Sequence, residues 1–523
     1  VRNLAIGTSK KLYIIQGGAL FDITPLRNSG TLATDPFDTT SGSDIVTVNH
    51  TSHDVVSGDF VNFSGADPVG GLTISGEYVA TFVDANSYTI VDDETASSTV
   101  SGGGASVAFK YEIHVGSDDS TFEFGWGIGG WGDSTWGTAR ATSNVELGPR
   151  VWWMDNWGED LVAAYTKGSL YRWVADNGAT TRAVVVPNAP TDIRAGVIVS
   201  TQDRHLIVFG AALSGNDIPI TVTWADQEDL ETWTPALPNT AGDLQIAGGS
   251  SMIAAKRFRN EILLWSDNQI YGMFIQPSPF FFGLRELATI ASGPIGANAV
   301  VVHNDTAYWM GGNNFYKYDG VVSTLESPNR DFVFDNLNRE QADKVWAFVN
   351  ASYNEIWFLY PDGVSLEPNR YMIYNFFEDI WYFGTFDRTA WVDRGVFDMP
   401  IAVDSSGRIY EQESGTTADG AALGDSLESG DIDLVDGEEF MFIDRLIPDF
   451  TIPTGRIDLL LRFKDYPDKT EFTRGPYRVD DNVDRIDFRA RARRGALQIE
   501  SDEVGTSWRM GVQKINVKPD GRA

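Results

Sequence analysis

Acidic residues set between two tryptophans form the stretch with most promise for chemistry: Trp224-Ala-Asp226-Gln-Glu228-Asp229-Leu-Glu-Thr-Trp233-Thr-Pro235. Two carboxylates beside an aromatic platform are what a glycosidase uses, one as acid and one as nucleophile or base, with the ring stacked on a sugar. Such a pair must face across a cleft, whereas Asp226, Glu228 and Asp229 fall within one local turn. Short acidic side chains there close turns and cap helices, and that is the favoured reading. The Ser-x-Asp-x-Gly-x-Thr-Trp box of sialidases is absent.

The other candidates are weighed in the same way. His50 and His53 have ligand-like spacing but no further His or Cys nearby, so a turn is expected there rather than a metal site. His205 and His303 have no recognisable serine or cysteine partner, and a catalytic triad has no support. Asp404-Ser405-Ser406-Gly407 lacks the spaced carboxylates of a calcium loop and reads as a turn. The run Gly125-Trp126-Gly127-Ile128-Gly129-Gly130-Trp131-Gly132, continued by Trp136, is not a phosphate loop, because no Lys-Ser/Thr and no helical pattern follow. Its indoles suit packing against the chain itself, against a neighbour, or against a sugar. Trp126, Trp131 and Trp136 are therefore candidate inter-subunit contacts. So are Arg489, Arg491 and Arg493, alternate residues of a strand-like run from Arg485 to Arg494. These arginines suit carboxylates of the same chain or of an adjacent subunit better than DNA. No catalytic residue, cofactor or metal is expected.

The elements that carry these residues repeat. Asp160 to Trp173 reads as a β-hairpin, two apolar and aromatic runs around a tight polar turn. The phrase returns at Leu12 to Ile23, Glu261 to Phe274, Ala307 to Tyr318 and Ile401 to Gln412, each second strand opening with an apolar residue and an aromatic. Looser copies run from His205 to Trp224 and from Glu355 to Tyr374. One hairpin cannot bury both its faces, so recurrence implies stacked neighbours sharing a core. The expectation is an all-β chain: an irregular β-propeller of about six or seven blades, with a jelly-roll array as the other arrangement. A helix is expected over Phe332 to Ala347.

Two stretches break the pattern. Between 31 and 109 Trp disappears and short period-two strands such as Ile45-Val46-Thr47-Val48 alternate with Gly and Asp turns, marking an inserted small β module. After 424 the hairpin phrase stops, and alternation at Ile457, Leu459, Leu461 and Phe463 predicts a β-sandwich. The expected organisation is a propeller body over 1–30 and 110–424, the module over 31–109, and the sandwich over 425–523.

Composition sets the bounds. The 523 residues are 42% hydrophobic and 12% aromatic, ample for buried cores. With no cysteine there are no disulfides or thiolate metal sites, and the compartment is left open. No run of apolar residues long enough for a membrane span occurs and no signal-peptide pattern opens the chain, so neither membrane insertion nor export through a cleaved signal is expected. A net charge of −33 opposes electrostatic wrapping of nucleic acid. The plain reading of that acidity is that it keeps a large, aromatic-rich protein soluble.

Several stretches together resemble a family of tailed-bacteriophage virion proteins. They are the Trp224 to Asp229 segment, Trp309-Met-Gly-Gly-Asn-Asn-Phe-Tyr-Lys-Tyr-Asp-Gly320, Asp335-Asn-Leu-Asn-Arg339, Gly430-Asp-Ile-Asp433, and Trp508-Arg-Met-Gly to Pro519-Asp-Gly-Arg522. The resemblance is to the tail hub, nozzle or packaged-DNA stabilisation proteins of short-tailed phages. It implies a virion tail location and a homo-oligomeric ring of about six copies. Portal and adaptor proteins would lie above, fibre, spike or needle proteins beside or below, and DNA would pass through the lumen without sequence-specific binding. The stretch Ser57-Gly-Asp-Phe-Val with Val83-Asp-Ala-Asn-Ser-Tyr-Thr-Ile resembles small β-barrel modules inserted in phage structural proteins and sometimes named after a domain of ubiquitin-activating enzymes. That label implies a fold and no ubiquitin chemistry. The class opposed to a structural tail protein is a carbohydrate-binding or carbohydrate-active propeller, which needs aromatics and carboxylates converging at its mouth.

Overall fold

Each recurring hairpin supplies the second and third strands of its own small antiparallel sheet. The computed structural model describes residues 2–121, 148–212, 218–277, 280–466 and 468–522, in two compact units, Val1–Glu411 and Gln412–Ala523. In the first unit the hairpin-built sheets follow one another along the chain. The first has three strands, Asn3–Gly7, Leu12–Gln16 and Ala19–Asp22. The second to sixth have four each and begin at Trp152–Trp157, Gly196–Val199, Met252–Phe258, Val300–His303 and Trp346–Asn350. The seventh has three, Ala390–Val392, Ile401–Val403 and Ile409–Glu411.

From the second sheet to the seventh, the first strands of consecutive sheets neighbour one another. Each middle sheet is therefore covered on both faces, which is why strands such as Glu261–Ser266 read Ile-Leu-Leu-Trp rather than alternating with polar residues. Ile262 and Leu264 pack with Ile207 and Phe209 of the third sheet. Leu263 and Trp265 pack with Trp309 and Tyr316 of the fifth. The same interleaving joins Phe315 to Phe358 between the fifth and sixth sheets, and Phe348 and Leu359 to Trp391 and Ala402 between the sixth and seventh. At the start, Gly7 leaves the space that the Trp152 ring fills, a Cβ there falling 2.3 Å from it, and Trp152 Nε1 donates to Thr8 O at 2.8 Å. Arg2, just before the first sheet, lies 3.5 Å from Asp398, between the first two strands of the seventh. The fold is all-β with a propeller-like succession of sheets.

The inserted module is two sheets, one holding Leu26–Thr31, Ala108–Glu112, Phe60–Ser64 and Gly76–Val79, the other the strands from Phe37–Thr39 to Val100–Gly102. Its period-two strands bury alternate residues, Val46, Val48, Val61, Phe63, Tyr88 and Ile90 among them, in one core. The chain enters and leaves beside itself, with Ile113 N donating to Pro25 O at 3.0 Å.

The helix expected over Phe332 to Ala347 is instead an α-turn at Arg330–Phe334, a 3-10 segment at Arg339–Lys344 and, from Trp346, the first strand of the sixth sheet. Val333, Phe334 and Leu337 are buried against the fifth and sixth sheets. Asn338, in extended conformation, accepts from Glu340 N and restarts the chain. Val345 to Val349 is aromatic and β-branched, and pairing with Glu355–Tyr360 outweighs the cap-and-charge pattern before it.

In the second unit a sheet of Asp425–Glu428, Arg494–Ser501, Ile457–Lys464 and Phe472–Val479 and a sheet of Ile486–Ala492, Met441–Ile447 and Lys514–Pro519 share one core. The strand Ile457–Lys464 alternates buried and part-buried residues along its length. Phe450–Thr454 pairs with Ser507–Met510 beside them.

Candidate assembly surface

The acidic motif of the third sheet is a turn held by its own carboxylates. Asp226 Oδ1 accepts from Gln227 N at 2.9 Å, Thr240 N at 2.7 Å and Thr240 Oγ1 at 2.5 Å. Burial alone would raise the Asp226 carboxyl, but the donors from Thr240 and Gln227 hold it below its ordinary value. Asp229 accepts from Glu231 N and Thr232 Oγ1, both at 2.8 Å, and Glu228 takes a φ of 58° inside the turn. Trp224 and Trp233 are buried, donating to Thr240 O and Leu230 O. These residues stand together but present neither facing carboxylates nor an open ring.

His205 extends this network. It lies 2.8 Å from Asp203 through Nδ1 and 2.9 Å from Thr240 Oγ1 through Nε2. The Thr240 hydroxyl is already donated to Asp226, so an Asp-His-hydroxyl chain exists here without a free nucleophile. His303 lies tilted against Phe376, ring centres 5.2 Å apart. In the module, His53 accepts from Val55 N through Nδ1 and donates through Nε2 to Asp84 O. His50 Nδ1 meets the Tyr111 hydroxyl at 2.6 Å. Asp404 Oδ1 accepts from Ser406 N and Arg408 N, closing its hairpin as a turn.

A charge cluster that sequence spacing does not reveal joins the module to the first two sheets. Asp22, Glu77 and Glu112 bring their carboxylates near enough to share a cation. Lys11 Nζ lies among them, at 3.0, 2.6 and 3.3 Å. Arg182 adds contacts at 3.2 Å to Asp22 and 2.6 Å to Glu112. Burial, together with Asp22 and Glu77, keeps the Glu112 carboxyl above its ordinary value despite Arg182 and Lys11. The residues lie too far apart in the chain for any local signal to have linked them.

Trp126, Trp131 and Trp136 lie outside the described residues. On the strand Ile486–Ala492, alternate residues Ile486, Phe488, Ala490 and Ala492 are buried, and Asp487, Arg489 and Arg491 are exposed. Arg491 pairs with Asp520 at 2.7 Å and lies 3.8 Å from the Phe440 ring centre. Arg493, just past the strand, lies 4.5 Å from the same ring and donates to Gly437 O and Arg522 O. Arg485 meets Asp487 at 3.0 Å and Arg494 meets Asp431 at 3.6 Å. Arg489 is the member of the row whose side chain has no partner among the described residues. The sequence placed the row on one face; the structure shows most of it neutralised within its own unit.

No family model matches the chain, and no curated protein matches it. Among solved structures it is weakly similar to the N-terminal domain of Nup159, with a TM-score of 0.32 and 10% identity over 50% of this chain and 73% of that one. A complex of Dbp5 with Nup159 and Gle1 from S. cerevisiae gives 0.33 and 10% over the same shares. The phage phi92 endosialidase gives 0.20 and 12% over 79% of this chain and 81% of that one. Scores of this size establish neither a common fold nor a function.

Proposed function

We propose that the chain is a structural protein of a bacteriophage tail, a ring-forming nozzle or hub subunit below the portal and adaptor that bounds the DNA exit path and helps retain and release the genome. The body is read as an irregular propeller of the seven hairpin-built sheets. The observation that carries the functional reading is how the polar groups are used. The best candidate catalytic carboxylates, Asp226 and Asp229, are committed to one turn, while exposed side chains such as Arg489 and the rings of Tyr382 and Phe383 on the outer strand of the sixth sheet suit protein contacts. The virion-protein resemblance of the segments quoted above points the same way.

The DNA path in this reading runs through the ring of copies. Along the first strands of the seven sheets, Asp155, Lys256 and Arg257 are the charged residues, and Asp155 is paired with Arg257. Burial pushes the Lys256 ammonium down to about 8. An acidic conduit would therefore be assembled from surfaces of several copies, whose carboxylates repel phosphates only within about 8 Å at physiological salt. Native mass spectrometry of the purified chain and electron microscopy of virions carrying it test the proposal. A closed ring of copies below the portal supports it; a monomer with no contact to like chains, or an axial lining rich in Lys and Arg, overturns it.

A further inference from the structure

We propose that the outer edge of the sixth sheet is a docking site for an extended segment of another protein in which apolar residues alternate with Lys or Arg, added as a further strand along Ile380–Thr385. The site stands whether or not copies of the chain form a ring.

Ile380–Thr385 pairs along its whole length with Arg370–Asn375 and with no strand on its other side among the described residues. A row of main-chain donors and acceptors is left open there. Exposed edges are normally blunted by shortness, charge, proline or a bulge. The other outer strands of the four-stranded sheets are shorter or charged: Val184–Val185 is two residues long, Gly242–Gln245 carries Asp243, Phe282–Thr289 carries Arg285 and Glu286, and Val322–Leu325, uncharged, has four residues. Ile-Trp-Tyr-Phe-Gly-Thr has six residues, no charge and no proline. Its exposure has a structural cause. The seventh sheet stops at three short strands and covers the inner part of the sixth at Phe348 and Leu359, not its fourth strand. Ile380 and Tyr382, on the face toward the seventh sheet, consequently stand 39% exposed, and Phe332, Phe377 and Phe383 are exposed as well, at 39%, 80% and 49%.

The two faces of this edge differ, and the difference selects the occupant. Phe383 stands against Phe332, ring centres 5.0 Å apart, on a face whose charged groups are already engaged: Arg370 lies over Phe332 and is paired with Asp362, and Asp379 accepts from the Tyr374 hydroxyl. On the opposite face, the register puts Glu355 and Asn375 in one row with Ile380, and Glu378 sits in the turn just before it. Burial, then Glu378 and Glu355, raise the Tyr382 hydroxyl, as expected of carboxylates close by. A strand added here meets Phe383 with alternate side chains; the rest meet Tyr382 and, at the start of the edge strand, Glu378, with Glu355 two strands further in.

The experiment measures binding to the full chain by fluorescence anisotropy, using a labelled peptide alternating Lys and Val over about eight residues and its Glu-Val counterpart. The Lys-Val peptide is expected to bind, more weakly as salt rises, and the Glu-Val peptide not to bind. Phe383→Lys should weaken binding about tenfold or more, with near-ultraviolet circular dichroism confirming the fold. Glu378→Lys, on an exposed turn, supplies a second variant expected to weaken binding severalfold. Equal binding of both peptides, or binding unchanged in both variants, overturns the proposal. So does self-association of the wild-type chain that Phe383→Lys abolishes while peptide binding persists, because the occupant would then be a second copy.

Discussion

Replacing Lys11 by Met removes the centre of the cluster that clasps the inserted module. The ammonium side chain is 7% exposed and lies within 3.3 Å of three carboxylates, two of them in the module. Losing one partner of a buried charge network costs about 3–5 kcal/mol, since the remaining charges stay desolvated and unpaired. Asp22 and Glu77 keep partial contact with water and Arg182 remains, so about 3 kcal/mol is expected here. The loss must depend on pH. In the wild type, burial lowers Lys11, but Glu77, Glu112 and Asp22 more than compensate and raise its folded value above 10.5. Its stabilisation is therefore complete below 10.5 and disappears only as pH rises through that higher value. In the variant the three carboxylates repel, so Glu112 takes up a proton at higher pH than before, and the defect shrinks as pH falls from 7 toward 5. Hydrogen exchange of the strand Gly76–Val79, which carries Glu77, is the assay, because a chain of several units need not unfold in two states. Protection reduced at pH 7 and partly restored at pH 5 is the expected result. A variant within about 1 kcal/mol of wild type at both pH values would refute the idea that the clasp contributes to docking the module.

Two further outcomes are expected. Burial opposes ionisation of Asp59, but His114, Val56 N and Arg27 hold its carboxyl below 3.8, so its contribution is present above that value and lost as pH falls below it; acid titration of module stability should show the loss, and Asp59→Asn should flatten it. Arg489→Ser should leave thermal stability within about 0.5 kcal/mol, as for an exposed side chain away from a network, and weaken self-assembly measured by analytical ultracentrifugation. Unchanged assembly would remove Arg489 from the contact. Arg491 and Arg493 are poor choices for this test, because both also hold Phe440 and the C-terminal residues.

The strands were legible because their signal is local. Leu-Val-Ala-Ala-Tyr with Leu-Tyr-Arg-Trp around a polar turn folds as a hairpin wherever it sits, and all seven quoted stretches are hairpins. The module's alternation was equally readable, since period two assigns one face to the core. Cap chemistry before Trp346 misled, because pairing with Glu355–Tyr360 is a distant term that no helix signal contains. The turn use of Asp226 and Asp229 was inferable from spacing, although Thr240, which supplies their network with a hydroxyl and an amide, lies beyond the motif. Tertiary structure alone gathered Lys11, Asp22, Glu77, Glu112 and Arg182, residues from four separate stretches whose attraction falls off with spatial rather than sequence distance. It alone left Ile380–Thr385 open, because that strand ends its own sheet and the seventh sheet packs on the inner strands only. Sequence by itself thus determined the repeating hairpin, through periodicity and turn chemistry acting within a few residues. Which of those hairpins are covered, and which charges meet, was decided by packing between segments far apart in the chain.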